Sequence, residues 1–320
     1  MVRIGYTLLC EQRDPKDLVN DAVQAEQAGF PFAVVSDHFH PWLEAQGHAP
    51  NAWPVLGAIA ARTCALELMT YVTCPIMRYH PAVVAQQAAT VAVLTGGRFR
   101  LGLGAGEALN EHVVGLGWPS VDVRHEMLVE AVEIIRALWT GRYISFRGRH
   151  FAVDSARIFD LPEAPPPIGI AVSGPDSCRL AGQHADLVIA TTPQASLIRR
   201  FQEAGGAGKP AVGQLPVCYG PDAAKALMLA HEQYRWSAAG WKVQAELPSP
   251  VNFEAFSRFV RESDLAEMIP HGPDPEPYVK GVRAFAEAGF TEVALLQIGP
   301  YQDEFFDFYT QTLSCALNDL

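Results

Sequence analysis

The amino-acid sequence predicts a (β/α)8 barrel, an α/β fold, formed as one domain by residues 1–320, and three observations support it. Short apolar runs alternate with longer segments of helical period, which is typical of βα units around a parallel sheet. The chain has 320 residues, 49% of them hydrophobic, which is enough for one large core. The turn after the first predicted strand, from Cys10 to Arg13, contains no glycine. A doubly wound open sheet needs a glycine-rich turn at that position, so the barrel is favoured.

The predicted strands are short runs rich in valine, isoleucine, leucine and phenylalanine. They cover residues 4–9, 32–35, 66–72, 99–103, 167–172, 187–190, 214–219 and 293–297. Helical periodicity predicts helices over residues 15–29, 55–62, 81–94, 123–139 and 303–316. Two insertions interrupt the pattern: a hairpin within residues 139–166, before strand five, and a helical segment, residues 221–274, between strands seven and eight. We interpret this second insertion as a lid or a subunit contact.

Composition and charge restrict the partners and the compartment. A formal net charge of −11 without a basic cluster argues against binding to nucleic acid or to an anionic membrane surface. The six cysteines are scattered and form no C-x-x-C pair, which indicates reduced thiols. The chain opens directly into a predicted strand, and no apolar run approaches the roughly 18 residues of a membrane span. We therefore expect a cytoplasmic protein.

Polar residues at the predicted strand ends indicate where the chemistry lies, because barrel active sites form at the carboxyl ends of the strands. Asp37 and His38 follow strand two, and a histidine can donate or accept a proton near neutral pH. Glu107 follows strand four and is a candidate for the complementary acid or base. Trp42 either forms a wall of the pocket or belongs to the core.

Two further segments at strand ends suit a bound ligand, although each has an equally ordinary structural explanation. Gly104-Ala105-Gly106 lets the backbone approach a ligand closely, or simply forms a tight turn. The segment from Ser173 to Ser177 runs from a strand into a helix that begins near a proline. Free N–H groups there suit an anion such as a phosphate, unless Ser173 or Asp176 caps the helix.

A metal site is not expected. His38 and His40 have the H-x-H spacing of some zinc hydrolases, but such enzymes need further ligands from later strand ends. Those ends carry Ser173, Thr191 and Gln297 instead. The G-x-S-x-G motif of serine hydrolases is also absent from the sequence.

Four motifs in order make the sequence similar to a known family. They are S-D-H-F-x-P-W at residues 36–42, G-H-A-P at 47–50, R-Y-x-P at 78–81 and G-x-G-x-G-E-A-L-N-E at 102–111. Together they resemble the coenzyme F420-dependent oxidoreductases of the luciferase-like superfamily, in the group related to the F420-dependent glucose-6-phosphate dehydrogenases. The resemblance covers nearly the whole chain and is densest over residues 35–111.

The resemblance implies a deazaflavin, coenzyme F420, in the mouth of the barrel and a homodimeric enzyme. His38 would be the essential acid or base, Glu107 its partner, and Trp42 would pack over the site. The same resemblance implies a non-proline cis peptide between Tyr71 and Val72. The implied cofactor contacts are Asp37, Tyr71, Val72, Cys74, Ala105, Gly106, Asn110, Ser173, Gly174, Asp176 and Ser177.

Departures from the family pattern concern the substrate more than the cofactor. Cys74 and Ala105 replace two threonines, but their backbone groups can still contact a cofactor. Thr191 matches a substrate-binding threonine, whereas Gln194 occupies the position of a substrate-binding lysine. Two further cationic positions correspond to Ala255 and Glu267. Without these cations a phosphate dianion lacks its counter-charges, so we expect a small alcohol, hemiacetal or sugar-like substrate and not glucose 6-phosphate.

Two alternatives remain open. One is an FMN-dependent luciferase-like monooxygenase on the same fold. The other is a protein that binds a deazaflavin without catalysis, which the presence of both His38 and Glu107 disfavours.

Overall fold

A computed structural model describes residues 2–317 and contains a closed barrel of eight parallel strands, which confirms the predicted fold class. Ten strands are formed, of which β5 and β6 make a separate antiparallel hairpin. The barrel order is β1-β10-β9-β8-β7-β4-β3-β2. The strands are β1 Arg3–Leu8, β2 Phe32–Val35, β3 Glu67–Thr70, β4 Phe99–Leu103, β5 Ile144–Arg147, β6 Ala152–Ala156, β7 Ile168–Ala171, β8 Leu187–Ala190, β9 Ala211–Val217 and β10 Glu292–Gln297.

Helices connect the strands and surround the barrel. They are α1 Pro15–Gln27, α2 Ala52–Ala60, α3 Pro81–Leu94, α4 Ala108–Glu111, α5 Val121–Leu138, α6 Pro175–His184, α7 Ala195–Phe201, α8 Ala223–Tyr234, α9 Trp241–Gln244, α10 Pro250–Ser257, α11 Glu262–Ala266, α12 Glu276–Glu287, α13 Gln302–Phe308 and α14 Ser314–Leu317. The predicted final helix, residues 303–316, is interrupted by a π-helical turn at Tyr309–Leu313. Within residues 2–317, no helix combines the length and the apolar character needed to cross a membrane.

Glycines on the strands make room for large side chains in the centre of the barrel. A Cβ atom on Gly5 would lie 2.3 Å from the ring of Phe32, and one on Gly102 would lie 2.0 Å from the carbonyl oxygen of Thr70. Buried aromatic and aliphatic side chains fill the interior beside these glycines and form one cluster. They include Phe32, Val34, Met69, Leu187, Ile189 and Val212.

A cluster of four charged side chains closes the amino-terminal end of the barrel. Arg3, Glu67 and Glu292 are the first residues of β1, β3 and β10, and Arg100 is the second residue of β4. Arg100 contacts Glu292 at 2.8 Å, and Arg3 contacts Glu292 at 2.9 Å and Glu67 at 2.7 Å. Because these strands are distant in sequence, the cluster joins the two ends of the chain across the barrel.

Residues 221–274 contain helices α8 to α11. Their buried side chains form a hydrophobic cluster with residues that follow β1, β2 and β4 and with the end of β10. Those partners are Leu9, Trp42, Leu43, Leu109, Leu296 and Ile298. The insertion therefore packs against the carboxyl end of the barrel, where active sites of this fold lie.

Candidate active site

A buried histidine lies between two carboxylates at the carboxyl end of the barrel. His38 follows β2, and its Nδ1 forms an ion pair with Oε1 of Glu11, which follows β1. Glu11 is 0% exposed and also accepts a hydrogen bond from Ser36 Oγ at 2.7 Å. On the other side of the ring, His38 Nε2 lies 3.6 Å from Glu107 Oε1, after β4. Because a carboxylate only accepts, Nδ1 carries a hydrogen and Nε2 is the nitrogen that exchanges a proton.

The two carboxylates set the protonation of this histidine. Burial by itself lowers the pKa of His38, because it disfavours the charged ring. The charge and hydrogen bond of Glu11 and the charge of Glu107 act in the opposite direction, and the pKa of His38 ends above its ordinary value. Burial raises the pKa of Glu11, but the pairing with His38 outweighs it and the pKa of Glu11 is lowered. The two carboxylates therefore favour the charged form of the ring, with a hydrogen on both nitrogens.

Glu107 is held by a short helix that also contacts the insertion. The residue precedes α4 in an extended conformation, and Asn110 Nδ2 donates a hydrogen bond to Glu107 Oε1 at 2.6 Å. The next backbone N–H, that of Ala108, donates to the carbonyl oxygen of Ala245 in the insertion at 2.9 Å. The position of Glu107 thus depends on its own helix and on the insertion.

A second buried charge network lies beside the histidine. Asp37 accepts hydrogen bonds from Thr73 Oγ1 at 2.6 Å and from Arg78 Nη2 at 3.1 Å. Arg78 also lies between Asp37 and Glu111, whose Oε2 accepts a hydrogen bond from the Arg78 backbone N–H at 2.9 Å. Burial raises the pKa of Glu111 to about 7, against the influence of Arg78. The guanidinium is therefore engaged by carboxylates of the protein itself.

Stacked aromatic rings cover the histidine. Trp42 is buried, and its ring centroid lies 5.0 Å from that of His38 in an edge-on arrangement. Trp236 of the insertion stacks on Trp42 at 4.1 Å with an angle of 8° between the rings. Phe253 of α10 meets the edge of Trp42 at 5.0 Å. Trp42 is thus both part of a small core and a neighbour of His38, so its two predicted roles are compatible.

The peptide bond between Tyr71 and Val72 is cis, as the family resemblance implied. Tyr71 is buried and its hydroxyl donates to the carbonyl oxygen of Ala190 at 3.3 Å, whereas Val72 is half-buried. A Cβ atom on Gly104 would lie 2.7 Å from Cγ2 of Val72 and 3.6 Å from the sulfur of buried Cys74. The close approach of these two loops therefore requires glycine at position 104.

The loop after β4 bends back through glycine. Gly106 has φ +76°, in the left-handed region that favours glycine, and the preceding Ala105 is half-buried. This turn places the half-buried backbone of Ala105 and the buried side chain of Glu107 at the same end of the barrel.

The start of α6 lies at the same rim. Ser177 Oγ accepts hydrogen bonds from the backbone N–H groups of Ser173 and Gly174, both at 3.1 Å. The helix is therefore capped by Ser177 and not by Ser173 or Asp176, both of which are exposed. A Cβ atom on Gly174 would meet nothing within 4 Å, so open space adjoins this backbone.

The predicted substrate residues lie on the exposed part of the rim. Thr191 directly follows β8, and Gln194 precedes α7, and both are exposed. Ala255 in α10 and Glu267 at the end of α11 are exposed on the insertion.

Three residues of the site were not predicted from the sequence: Glu11, Arg78 as a charge partner, and Trp236. Glu11 follows the first strand, so its position at a strand end is the signal in the sequence that marks it as a candidate. Trp236 belongs to the insertion, which is far from Trp42 in the sequence, and no local pattern in the sequence indicates that the two rings stack. In residues 2–317, no group of three or more His, Cys, Asp or Glu side chains is arranged to hold a metal ion.

Comparison with known proteins places this geometry in a family. The family model described as luciferase-like monooxygenase matches residues 2–292. An F420-dependent glucose-6-phosphate dehydrogenase of Beutenbergia cavernae is 35% identical over 98% of this chain and 96% of its own length. An F420-dependent hydroxymycolic acid dehydrogenase of Mycobacterium tuberculosis is 37% identical over 89% of this chain and 80% of its own length.

A solved structure is similar over the whole length. It is an F420-dependent secondary alcohol dehydrogenase in complex with an F420-acetone adduct, 31% identical to this chain, with a TM-score of 0.91 and coverage of 99% of both chains. The length of these matches, the closed barrel and the cis peptide all agree with the family that the sequence motifs indicate. The chain therefore belongs to the luciferase-like monooxygenase family.

Proposed function

We propose that this protein is an oxidoreductase that transfers a hydride between coenzyme F420 and a carbon of a small, uncharged alcohol, hemiacetal or sugar-like substrate. The observation that carries the proposal is His38, held between Glu11 and Glu107 at the mouth of the barrel. The relatives named F420-dependent dehydrogenases support the choice of cofactor, because they match this chain over most of its length.

The residues at the mouth fit a deazaflavin. Val72 and Ala105 are only half-buried, Ser173 is exposed, and open space adjoins Gly174, so these groups are accessible to a flat ring and its extended side chain. The buried Asp37 carboxylate is occupied by Thr73 and Arg78, and its carbonyl oxygen also accepts from Arg78, so we assign Asp37 a position beside the ring of the cofactor. When bound, the deazaflavin supplies the carbon that accepts or gives the hydride.

The protein itself handles the proton. In the oxidative direction the neutral form of the ring, with its hydrogen on Nδ1, takes the hydroxyl proton of the substrate at Nε2, and Glu11 stabilises the charged ring that results. In the reductive direction the same nitrogen returns the proton. The distance of 3.6 Å between Nε2 and Glu107 Oε1 leaves both groups free to hydrogen-bond to an incoming hydroxyl. Trp42 and Trp236 exclude water from one side of the ring.

The charges around the site favour an uncharged substrate. Within residues 2–317, the carboxylates of Glu11, Asp37, Glu107 and Glu111 form ion pairs with two basic side chains, those of His38 and Arg78. Because Arg78 is enclosed by two carboxylates, it is not available to bind a phosphate. Gln194, Ala255 and Glu267 occupy the positions of the family's cationic substrate-binding residues and supply no counter-charge either, so glucose 6-phosphate is not among the proposed substrates.

The same proposal includes three features of the whole protein. Residues 221–274 act as a lid over the site, because they supply Trp236 and the backbone partner of Ala108. The protein forms a homodimer, for which size-exclusion chromatography with light scattering is the test. It acts in the cytoplasm, without a nucleic-acid or membrane partner.

A titration tests the cofactor and a substrate panel tests the reaction. We expect the purified protein to bind F420 and not FMN, and to change the deazaflavin absorbance with secondary alcohols but not with glucose 6-phosphate. H38N should reduce turnover by about 100-fold or more while F420 still binds, whereas H48N, on an exposed histidine, should leave turnover unchanged. Tight FMN binding without F420 binding would contradict the proposal, and so would F420 binding without turnover across the panel.

A further inference from the structure

One asparagine connects the two loops that carry the candidate acid and base. Asn110 lies in α4 and is 1% exposed. Its Oδ1 accepts hydrogen bonds from the backbone N–H groups of Phe39 at 2.7 Å and His40 at 2.9 Å, directly after His38. Its Nδ2 donates to Glu107 Oε1 at 2.6 Å. A single side chain thus contacts the loop after β2 and the carboxylate after β4.

The hydrogen bonds determine the orientation of this amide. Two N–H donors point at one end of it, and only the oxygen can accept from both. The NH2 group must therefore face Glu107, whose carboxylate accepts from it. If the amide were reversed, two donors would face the NH2 group and a carboxylate would face an oxygen, which leaves buried polar groups unsatisfied.

This orientation also distinguishes the two oxygens of Glu107. Oε1 is the atom held by Asn110, and it is the same atom that lies 3.6 Å from His38 Nε2. Oε2 accepts no hydrogen bond from residues 2–317. The gap between the histidine and the glutamate is therefore set by the span of the Asn110 side chain.

We infer that Asn110 is a positioning residue that fixes the spacing between His38 and Glu107, in addition to any contact with a cofactor. The inference rests on the proposed function for its consequence in turnover, but not for its structural test. The other titratable and charged groups around the Glu107 carboxylate and the ring are Glu11, Cys74, Arg78 and Glu111. Arg78 also joins these two loops, through Asp37 and Glu111, whereas Asn110 bonds the Glu107 carboxylate itself.

Two variants separate positioning from a cofactor contact. N110A removes both arms of the bridge, so Glu107 moves away from the ring and its charge no longer raises the pKa of His38. N110D has the same shape and keeps the arm to the backbone N–H groups. Its carboxyl group and that of Glu107 lie too close for both to ionise, so they share one proton and the negative charge beside the ring is retained. The pKa of His38 should therefore fall by about 0.5 to 1 in N110A and stay close to the wild-type value in N110D.

The primary measurement is the titration of His38 by NMR of the cofactor-free protein with labelled histidine. E107Q provides the reference value for a ring without the Glu107 charge, and N20A, on the exposed face of α1, is the matched control. Steady-state kinetics should show a fall in kcat of about 10- to 100-fold for N110A, larger than its loss of F420 affinity. N110L, which is close in volume and also removes both arms, serves if N110A does not fold.

The outcomes are distinct. A fall of the His38 pKa in N110A, with N110D close to the wild type, supports the inference. If the titration of both variants equals that of the wild type and only F420 affinity changes, Asn110 is a cofactor contact alone and the inference is wrong. Failure of the wild type to bind F420 would contradict the proposed function but would leave the result of the cofactor-free titration standing.

Discussion

At the scale of single residues, the site depends on charges that are buried together. Glu11 has no contact with solvent, yet its pKa is lowered because the charged ring of His38 and the hydroxyl of Ser36 compensate for its burial. Such a pair is costly to break from one side, because the remaining charge stays buried without its partner. The same pairing fixes which nitrogen of His38 faces the substrate.

The variant E11Q tests this role of the buried carboxylate. Glutamine keeps an oxygen that accepts the hydrogen bond from Nδ1 but removes the negative charge that raises the pKa of His38. Burial then dominates, so the pKa of His38 falls and the limb of the kcat profile that reports it moves to lower pH. We expect kcat to fall by about 100-fold. The control is E44Q, on an exposed glutamate, and an unchanged pH profile in E11Q would contradict the assignment.

At the scale of elements, the insertion and the barrel share one aromatic cluster. Trp42 comes from the loop after β2, Trp236 from the turn after α8 and Phe253 from α10. The ring centroids of Trp236 and Phe253 lie 4.1 Å and 5.0 Å from that of Trp42. Large buried rings contribute more area than any other side chain, so this contact holds the insertion on the mouth of the barrel. The hydrogen bond from Ala108 to Ala245 adds a second point of attachment.

Replacement of the stacking ring tests whether the insertion acts as a lid. W236A should lower the free energy of unfolding by about 3–5 kcal/mol, because a buried ring is lost and a cavity remains. It should also raise KM, since water gains access to His38. W236F should recover much of both properties, and W241A, on a more exposed tryptophan of the same insertion, serves as the control. Urea denaturation and steady-state kinetics measure the two effects, and equal KM values for W236A and W241A would contradict the lid.

At the scale of the whole molecule, the two ends of the barrel have different tasks. The carboxyl end carries the acid and base, whereas the amino end is closed by the cluster of Arg3, Glu67, Arg100 and Glu292. Arg100 and Glu292 are both buried, and their chain positions are far apart, so their contact stabilises the closure of the barrel and not one local element. We expect substitutions at the amino end to affect stability without affecting the chemistry.

The variant E292Q tests this division. It removes the charge that two arginines share, and we expect a loss of about 3 kcal/mol in the free energy of unfolding and a lower Tm. Activity at room temperature should match the wild type, because the site lies at the other end of the barrel. R149A breaks an exposed ion pair with Glu126 and should change stability by less than about 0.5 kcal/mol. A large fall in kcat for E292Q in the folded state would show that the two ends are coupled.

Much of this protein follows from its sequence alone. Strands β2, β4 and β8 and helix α3 were predicted with the bounds that the structure has, because apolar runs between turn residues or after a proline define them locally. The position of His38 and Glu107 at strand ends also follows, since a parallel barrel brings all such ends to one side. The cis peptide was implied by family resemblance and is present.

Only the tertiary structure decided which side chains meet. The partner of His38 Nδ1 is Glu11, 27 positions earlier in the chain. The ring that stacks on Trp42 belongs to Trp236, which is far along the chain. Local periodicity carries no information on such contacts, because they depend on how loops from separate strands pack together. The orientation of Asn110 likewise depends on backbone donors from another loop. The sequence therefore determined the barrel and the residues at its mouth, whereas their pairing, and with it the protonation of His38, was decided by packing in three dimensions.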